Sequence, residues 1–133
     1  YKRSFDLEID VDEALYTIPV LKFCLQPLVE NAIMHGLHPD MFTRIKISAV
    51  LSESSISLSV FNEGYGLSPQ KIEDIMNVLR HDLPTQSVGL KNVYQRMKLY
   101  YGSQAHLRIE SVMDEFTKVI LTFPLNISLE DQI

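Results

Sequence analysis

Long apolar runs are missing from this sequence: no stretch approaches the ~20 residues needed to cross a bilayer, and no basic start followed by an apolar middle marks a signal peptide. A soluble piece is the expectation. Clustered lysine and arginine are missing as well. With a formal net charge of −5 and no basic run, a DNA or RNA backbone is not an expected partner, so no nucleic acid is assigned. A small anionic ligand remains open, because local dipoles and a metal ion outvote net charge. Cysteine is nearly absent. Cys24 stands alone, which excludes an internal disulfide and fits a reducing compartment; on an apolar helix face it reads as a small core residue. His35, His38, His81 and His106 lack zinc-ligand spacing. There is no P-loop G-x-x-x-x-G-K-[ST], and the glycines do not form a dinucleotide fingerprint. An initiating methionine is also lacking: Tyr-Lys-Arg opens directly into a strand pattern, so the chain is expected to be a piece of a longer protein.

What is present is a domain's worth of core. The 133 residues are 46% hydrophobic, and a single domain of this size, 1–133, buries close to ~70% of the surface its unfolded chain exposes. Phe5, Leu7, Ile9 and Val11 alternate with polar residues, predicting a strand with one buried face. Leu21, Cys24, Leu25, Leu28, Val29, Ala32 and Ile33 follow at helical spacing, with Pro19 suited to the first turn and Gly36 to the end. Alternation returns at Ile45, Ile47, Ala49 and Leu51 and again at Ile56, Leu58 and Val60, joined as a hairpin through Ser52 to Ser55. After Val60 the pattern breaks into FNEGYGLSP. A short helix carries Ile72, Ile75, Met76 and Leu79 behind a Ser68 N-cap and Pro69. Residues 81–88 read as a loop. A last helix spans about Leu90 to Tyr101, with Leu90, Val93, Tyr94, Met97, Tyr100 and Tyr101 as its stripe and Gly102 closing it. Two strands end the chain, around Ala105, Leu107 and Ile109 and around Val119, Leu121 and Phe123. The order β-α-β-β-α-α-β-β with half-exposed strands predicts an α/β (α+β) two-layer sandwich, helices on one face of a mixed, mostly antiparallel sheet.

Three stretches carry chemistry. The first helix, committed to burial, also carries Glu30, Asn31 and His35, the last two stacked four residues apart. Gly64-Tyr65-Gly66 follows a strand end, where glycines suit either a pocket wall or an ordinary turn. SVGLKNVYQR, Ser87 to Arg96, places a glycine at a helix start after a loop. It reads equally as a phosphate site at the positive end of the dipole or as a plain helix start.

Together, LQPLVENAIMHG, NEGYG and VGLKNVYQRMKLYYG resemble the N-box and the two glycine boxes of the ATP-binding domain of sensor histidine kinases. The wording is most similar to the LytS/YesM-type branch, within the ATPase group shared with DNA gyrase, mismatch-repair proteins and heat-shock chaperones. The resemblance implies a Bergerat-type ATP-binding fold, with ATP and Mg²⁺ as cofactors. It also implies a catalytic domain that passes the γ-phosphoryl group to a histidine on a separate upstream dimerisation domain, from which a response regulator takes it. A cytoplasmic domain of a membrane-anchored homodimer is implied for the full-length protein. Asn31 would coordinate Mg²⁺ through its amide oxygen, Glu30 would orient the acceptor, and His35 with Gly36 would line the phosphate side. Asn62, Gly64 and Gly66 would form the adenine end, Thr117 would belong to the ATP-binding set, and Leu67 to Val88, including Ser87, would form the lid. Gly89, Leu90, Lys91 and Asn92 would meet the phosphates with backbone N–H groups. Phosphoryl transfer asks mainly for positioning and charge stabilisation, so this set suffices.

The boxes depart from the family wording at several points. Asn62 stands where D-N-G-x-G has aspartate, Met34 where lysine is common, Ser87 where the second box has its first glycine, and Asp114 to Thr117 where G-x-G-T is usual. A neutral hydrogen bond is worth ~0.5–1.5 kcal/mol against ~1.5–3 for a charged one, and a deficit near ~1.4 kcal/mol is about tenfold in affinity. Asn62 could instead donate and accept together along an adenine edge, loosening base selectivity. The alternative function is a degenerate, weakly or non-ATP-binding domain acting as a regulatory interaction module.

Overall fold

The computed structural model of the chain describes residues 5–11, 27–28, 43–85 and 88–124. The predicted helix ending at Gly36 lies outside the described residues except for Pro27 and Leu28, which are helical. Five strands form one sheet in the order β1-β2-β3-β5-β4: β1 Phe5–Asp10, β2 Thr43–Leu51, β3 Ser55–Glu63, β4 His106–Val112 and β5 Phe116–Pro124. β1 runs parallel to β2 and every other pairing is antiparallel. Among the described residues, two α-helices, α1 Pro69–Arg80 and α2 Val88–Tyr101, lie between β3 and β4 in sequence.

Alternation puts one face of the sheet into the core, and the register stacks it in rows. Ala49, Leu58, Leu121 and Leu107 lie side by side across β2, β3, β5 and β4, and Ile47, Val60, Val119 and Ile109 make the next row. Onto these rows α2 lays Leu90, Val93, Met97 and Tyr101, all buried, at spacings of three and four. α1 adds buried Leu79, with Ile72, Ile75 and Met76 packed against the same cluster. Ser68 caps α1, its hydroxyl accepting from the Lys71 N–H at 3.1 Å, and Pro69 occupies the first turn, where its missing N–H costs nothing. The opposite sheet face is polar at its centre, where the Ser48 and Ser59 hydroxyls meet at 2.8 Å. This is the expected two-layer sandwich with a mixed, mostly antiparallel sheet.

Three details differ from the sequence reading. β3 runs on to Glu63 instead of breaking at Val60, because Phe61, Asn62 and Glu63 are paired with β5 throughout, and the Phe61 and Phe116 rings stack at 5.4 Å. α2 begins at Val88, two residues before Leu90. β1 leaves Leu7 and Ile9 41% and 54% exposed although they oppose buried Ile45 and Ile47, and of its predicted stripe Val11 packs against the core; β4, the other edge strand, buries Leu107 and Ile109, so alternation along a strand marks a face without deciding its cover.

Candidate functional site

The core face changes character at one end of the sheet. Beyond the row Ile47–Val60–Val119–Ile109, the next row reads Ile45, Asn62, Thr117 and Ser111. Three neighbouring strands therefore place a polar side chain on an otherwise apolar face, at the same depth. Asn62 is 6% exposed, and among the described residues nothing is hydrogen-bonded to its side-chain amide. A buried amide left unpaired costs ~1–3 kcal/mol, so this row is poor as core and good as a surface for a ligand with polar edges.

The glycine segment is tied to that row. Gly64 N–H donates to Glu115 O at 3.2 Å, Asp114 N–H to Tyr65 O at 2.6 Å, and Leu67 N–H to Ser111 Oγ at 2.6 Å. Gly66 has φ +70°, and a Cβ there would run into the Val112 carbonyl, so this position needs glycine both for its backbone and for its space. The turn between β4 and β5 solves the same problem without glycine: Asp114 holds φ +63°, a conformation aspartate tolerates better than most residues. That is how Asp114 to Thr117 forms the turn where a G-x-G-T wording would have been expected.

The start of α2 meets the other side. Gly89 packs next to Pro27, whose carbonyl oxygen would lie 3.6 Å from a Cβ on Gly89, so the first turn of α2 abuts the helical pair Pro27–Leu28. With the helix beginning at Val88, the N–H groups of Val88, Gly89 and Leu90 have no carbonyl one turn back and face the positive end of the dipole. Lys91 and Asn92 follow at positions whose N–H groups helical geometry directs to preceding carbonyls; what they offer is their side chains. The Lys91 ammonium is engaged with Asp82 Oδ1 at 2.8 Å and donates to Leu83 O at 3.0 Å, while Gln95 Nε2 donates to the same Asp82 oxygen at 2.9 Å. The stretch after α1 is thereby tied to α2, with Asp82 at φ +52°. Of the stretch expected as a lid, residues 69–80 are α1 and 81–85 are non-helical. A cleft of about 140 Å³ between α1 and the start of α2, lined by Ile75, Val78, Leu79, Thr85 and Leu90 with Lys71 and Asp74, shares Leu90 alone with the core of the expected phosphate set.

Among the expected site residues, Asn62, Gly64, Gly66, Leu67 and Thr117 are gathered at one end of the sheet, and Gly89, Leu90, Lys91 and Asn92 form the start of α2. Glu30, Asn31, His35, Gly36 and Ser87 lie outside the described residues, and Val88 is described in its backbone only. Among the described residues, no three of His, Cys, Asp and Glu are arranged to hold a metal, and no helix is long and apolar enough to cross a membrane. Ser111 is the residue the motif reading missed. Its signal was present: the in-phase positions of β3, β4 and β5 all turn from apolar to polar at one end, through Asn62, Ser111 and Thr117.

Residues 18–127 match the family described as histidine kinase-, DNA gyrase B-, and HSP90-like ATPase. The chain belongs to that family, and within it is an ATP-binding catalytic domain of the histidine kinase kind. An uncharacterized sensor-like histidine kinase of Staphylococcus epidermidis is 34% identical over 94% of this chain and 24% of its own length. The sensor histidine kinase YpdA of Escherichia coli is 38% identical over 74% of this chain and 17% of its own length. The chain thus spans a quarter or less of these relatives. Among solved structures, the catalytic domain of histidine kinase ThkA superposes with a TM-score of 0.69 at 21% identity, covering 90% of this chain and 79% of that one. The histidine kinase domain of a blue-light activated kinase of Erythrobacter litoralis gives 0.67 at 12% identity, over 98% and 54%. Both show the same fold.

Proposed function

We propose that the protein to which this chain belongs is a LytS/YesM-type sensor kinase, and that this domain delivers the ATP γ-phosphoryl group to a histidine on an upstream dimerisation domain. A response-regulator aspartate takes it from there, and the whole protein works as a membrane-anchored homodimer. The observation that supports the reading best is the buried Asn62 amide, without a hydrogen-bond partner among the described residues, in a polar row at the sheet end. Adenine lies against Asn62 and Thr117, and the triphosphate runs toward the first-turn N–H groups of α2, where the helix dipole favours anionic oxygens. Asn31 would hold Mg²⁺ through its amide oxygen, and the ion would supply charge neutralisation on the phosphates. Glu30 orients the acceptor, and His35, Gly36 and Ser87 complete the phosphate side.

Calorimetry with ATP and Mg²⁺ tests this. Saturable binding is expected; no heat at millimolar nucleotide would favour the degenerate, regulatory reading instead, to which the missing aspartate of the first glycine box lends support. The variant Asn62→Asp is expected to bind ATP about tenfold more tightly, since the charged bond to the 6-amino group exceeds the neutral one by ~1.4 kcal/mol. An unchanged dissociation constant would remove Asn62 from the base site.

A further inference from the structure

The geometry points to Ser111 as a positioning residue that sets which way the Thr117 hydroxyl faces its hydrogen, and so makes the base site select a purine with an amino group at position 6. This rests on the placement of the base against Asn62 and Thr117 proposed above. Three groups meet the Ser111 oxygen. Leu67 N–H can only donate and does so at 2.6 Å; Phe116 O can only accept and lies at 2.6 Å; Thr117 Oγ1 lies at 3.1 Å and could do either. A serine hydroxyl has one hydrogen and two lone pairs. The Phe116 carbonyl can only accept, so the Ser111 hydrogen lies on that bond, and one lone pair is taken by the Leu67 N–H. What remains for Thr117 is the second lone pair, so Thr117 must donate to Ser111. Its own hydrogen is used, and its oxygen presents lone pairs alone to anything lying on the row.

The consequence is electronic and not merely structural. Adenine offers a 6-amino donor, which an acceptor-only Thr117 matches. Hypoxanthine and guanine offer a 6-oxo acceptor and an N1–H, so the 6-oxo group would face lone pairs with no hydrogen between them. The neighbouring Asn62 amide is able to rotate its donor and acceptor ends and so does not discriminate by itself. With the charged aspartate of the family wording replaced by this neutral amide, discrimination passes to the hydroxyl whose polarity is fixed by a third strand.

The test compares ATP with ITP, which differ at this edge of the base, by calorimetry on the parent, Ser111→Ala, Thr117→Val and the double variant. Ser111→Ala frees the Thr117 hydrogen to turn toward the ligand, so the ATP:ITP affinity ratio is expected to fall about tenfold, with ITP binding unchanged or improved, and Ser111→Thr is expected to restore the ratio. In the Thr117→Val background, Ser111→Ala should leave the ratio where it is. If Ser111→Ala weakens both nucleotides alike, the residue is a structural clamp and the inference fails. If Thr117→Val leaves the ratio untouched while ATP still binds, the base does not meet Thr117, and the placement in the proposed function fails instead. Thermal melting of each variant identifies loss of fold; should Ser111→Ala not fold, Ser111→Cys, whose weak S–H donor holds the carbonyl poorly, is expected to lower the ratio in the same direction.

Discussion

The variant Gly66→Ala is expected to lose ~3 kcal/mol or more of stability and to lose ATP binding with it. Two costs add. A left-handed residue with a Cβ costs ~1–2 kcal/mol by itself, and Gly66 holds φ +70°. The Cβ would also run into Val112 O, with Val112 C and Met113 Cα close behind; these are backbone atoms at the end of β4, which cannot swing aside as a side chain does. Relief requires the hairpin and the glycine segment to separate, and the bonds Gly64 N–Glu115 O, Asp114 N–Tyr65 O and Leu67 N–Ser111 Oγ span that seam. Each is worth ~0.5–1.5 kcal/mol net. Urea unfolding is expected to show a lower midpoint at unchanged slope. An unchanged midpoint would mean that the seam is not what holds this end of the sheet. Gly89→Ala makes the contrast: with φ helical and the nearest foreign atom at an ordinary 3.6 Å, alanine should stabilise α2 by up to ~1 kcal/mol. Any loss of ATP affinity there reports a ligand that approaches the backbone closely.

Local and non-local determinants differ in how far they are legible in the sequence. The hairpin at Ser52 to Ser55 was legible because polar residues interrupt two clean alternations, and α1 because Ser68 and Pro69 punctuate its start. Both signals are local. The end of β3 was not legible, because Phe61-Asn62-Glu63 loses the apolar alternation and stays a strand through pairing with β5, a partner more than fifty residues away. The exposure of Leu7 and Ile9 was not legible either, because alternation reports which way a side chain points and not whether anything covers it: β1 and β4 are both edges, and β4 buries Leu107 and Ile109. In the site, the motif residues Asn62, Gly66 and Thr117 could be named from wording alone. Ser111 belongs to no motif; its in-phase polar position marks the end of the apolar face, but its neighbours, Thr117 across the β4–β5 pair and Leu67 across the seam, follow from register and packing. The start of α2 fell two residues early because Val88 and Gly89 have no place in the apolar stripe, although their N–H groups are the ones a helix start leaves free.

The second large effect is expected at the opposite end of the scaffold. Phe123 is 1% exposed, pairs with Ile56 across β3 and β5, and stacks on Tyr101 with ring centroids 5.1 Å apart at 23°. Phe123→Ala removes the largest side chain that is fully buried among the described residues and the partner that seats the C-terminal end of α2, so a loss of ~3–5 kcal/mol is expected. For a domain of this length that corresponds to a fall of roughly 10–20 °C in melting temperature. α2 has 14 residues, a rise of about 21 Å, and the proposed phosphate-binding turn is at its other end. Met97 and Val93, both buried, lie between the two and remain seated on the sheet. ATP affinity measured well below the transition is therefore expected to stay within about threefold of the parent's, since ~0.6 kcal/mol is all that such a change represents. If affinity fell in step with stability, α2 would be acting as a lever between its two ends, and the helix start could no longer be treated as a site held in place by its own first turns.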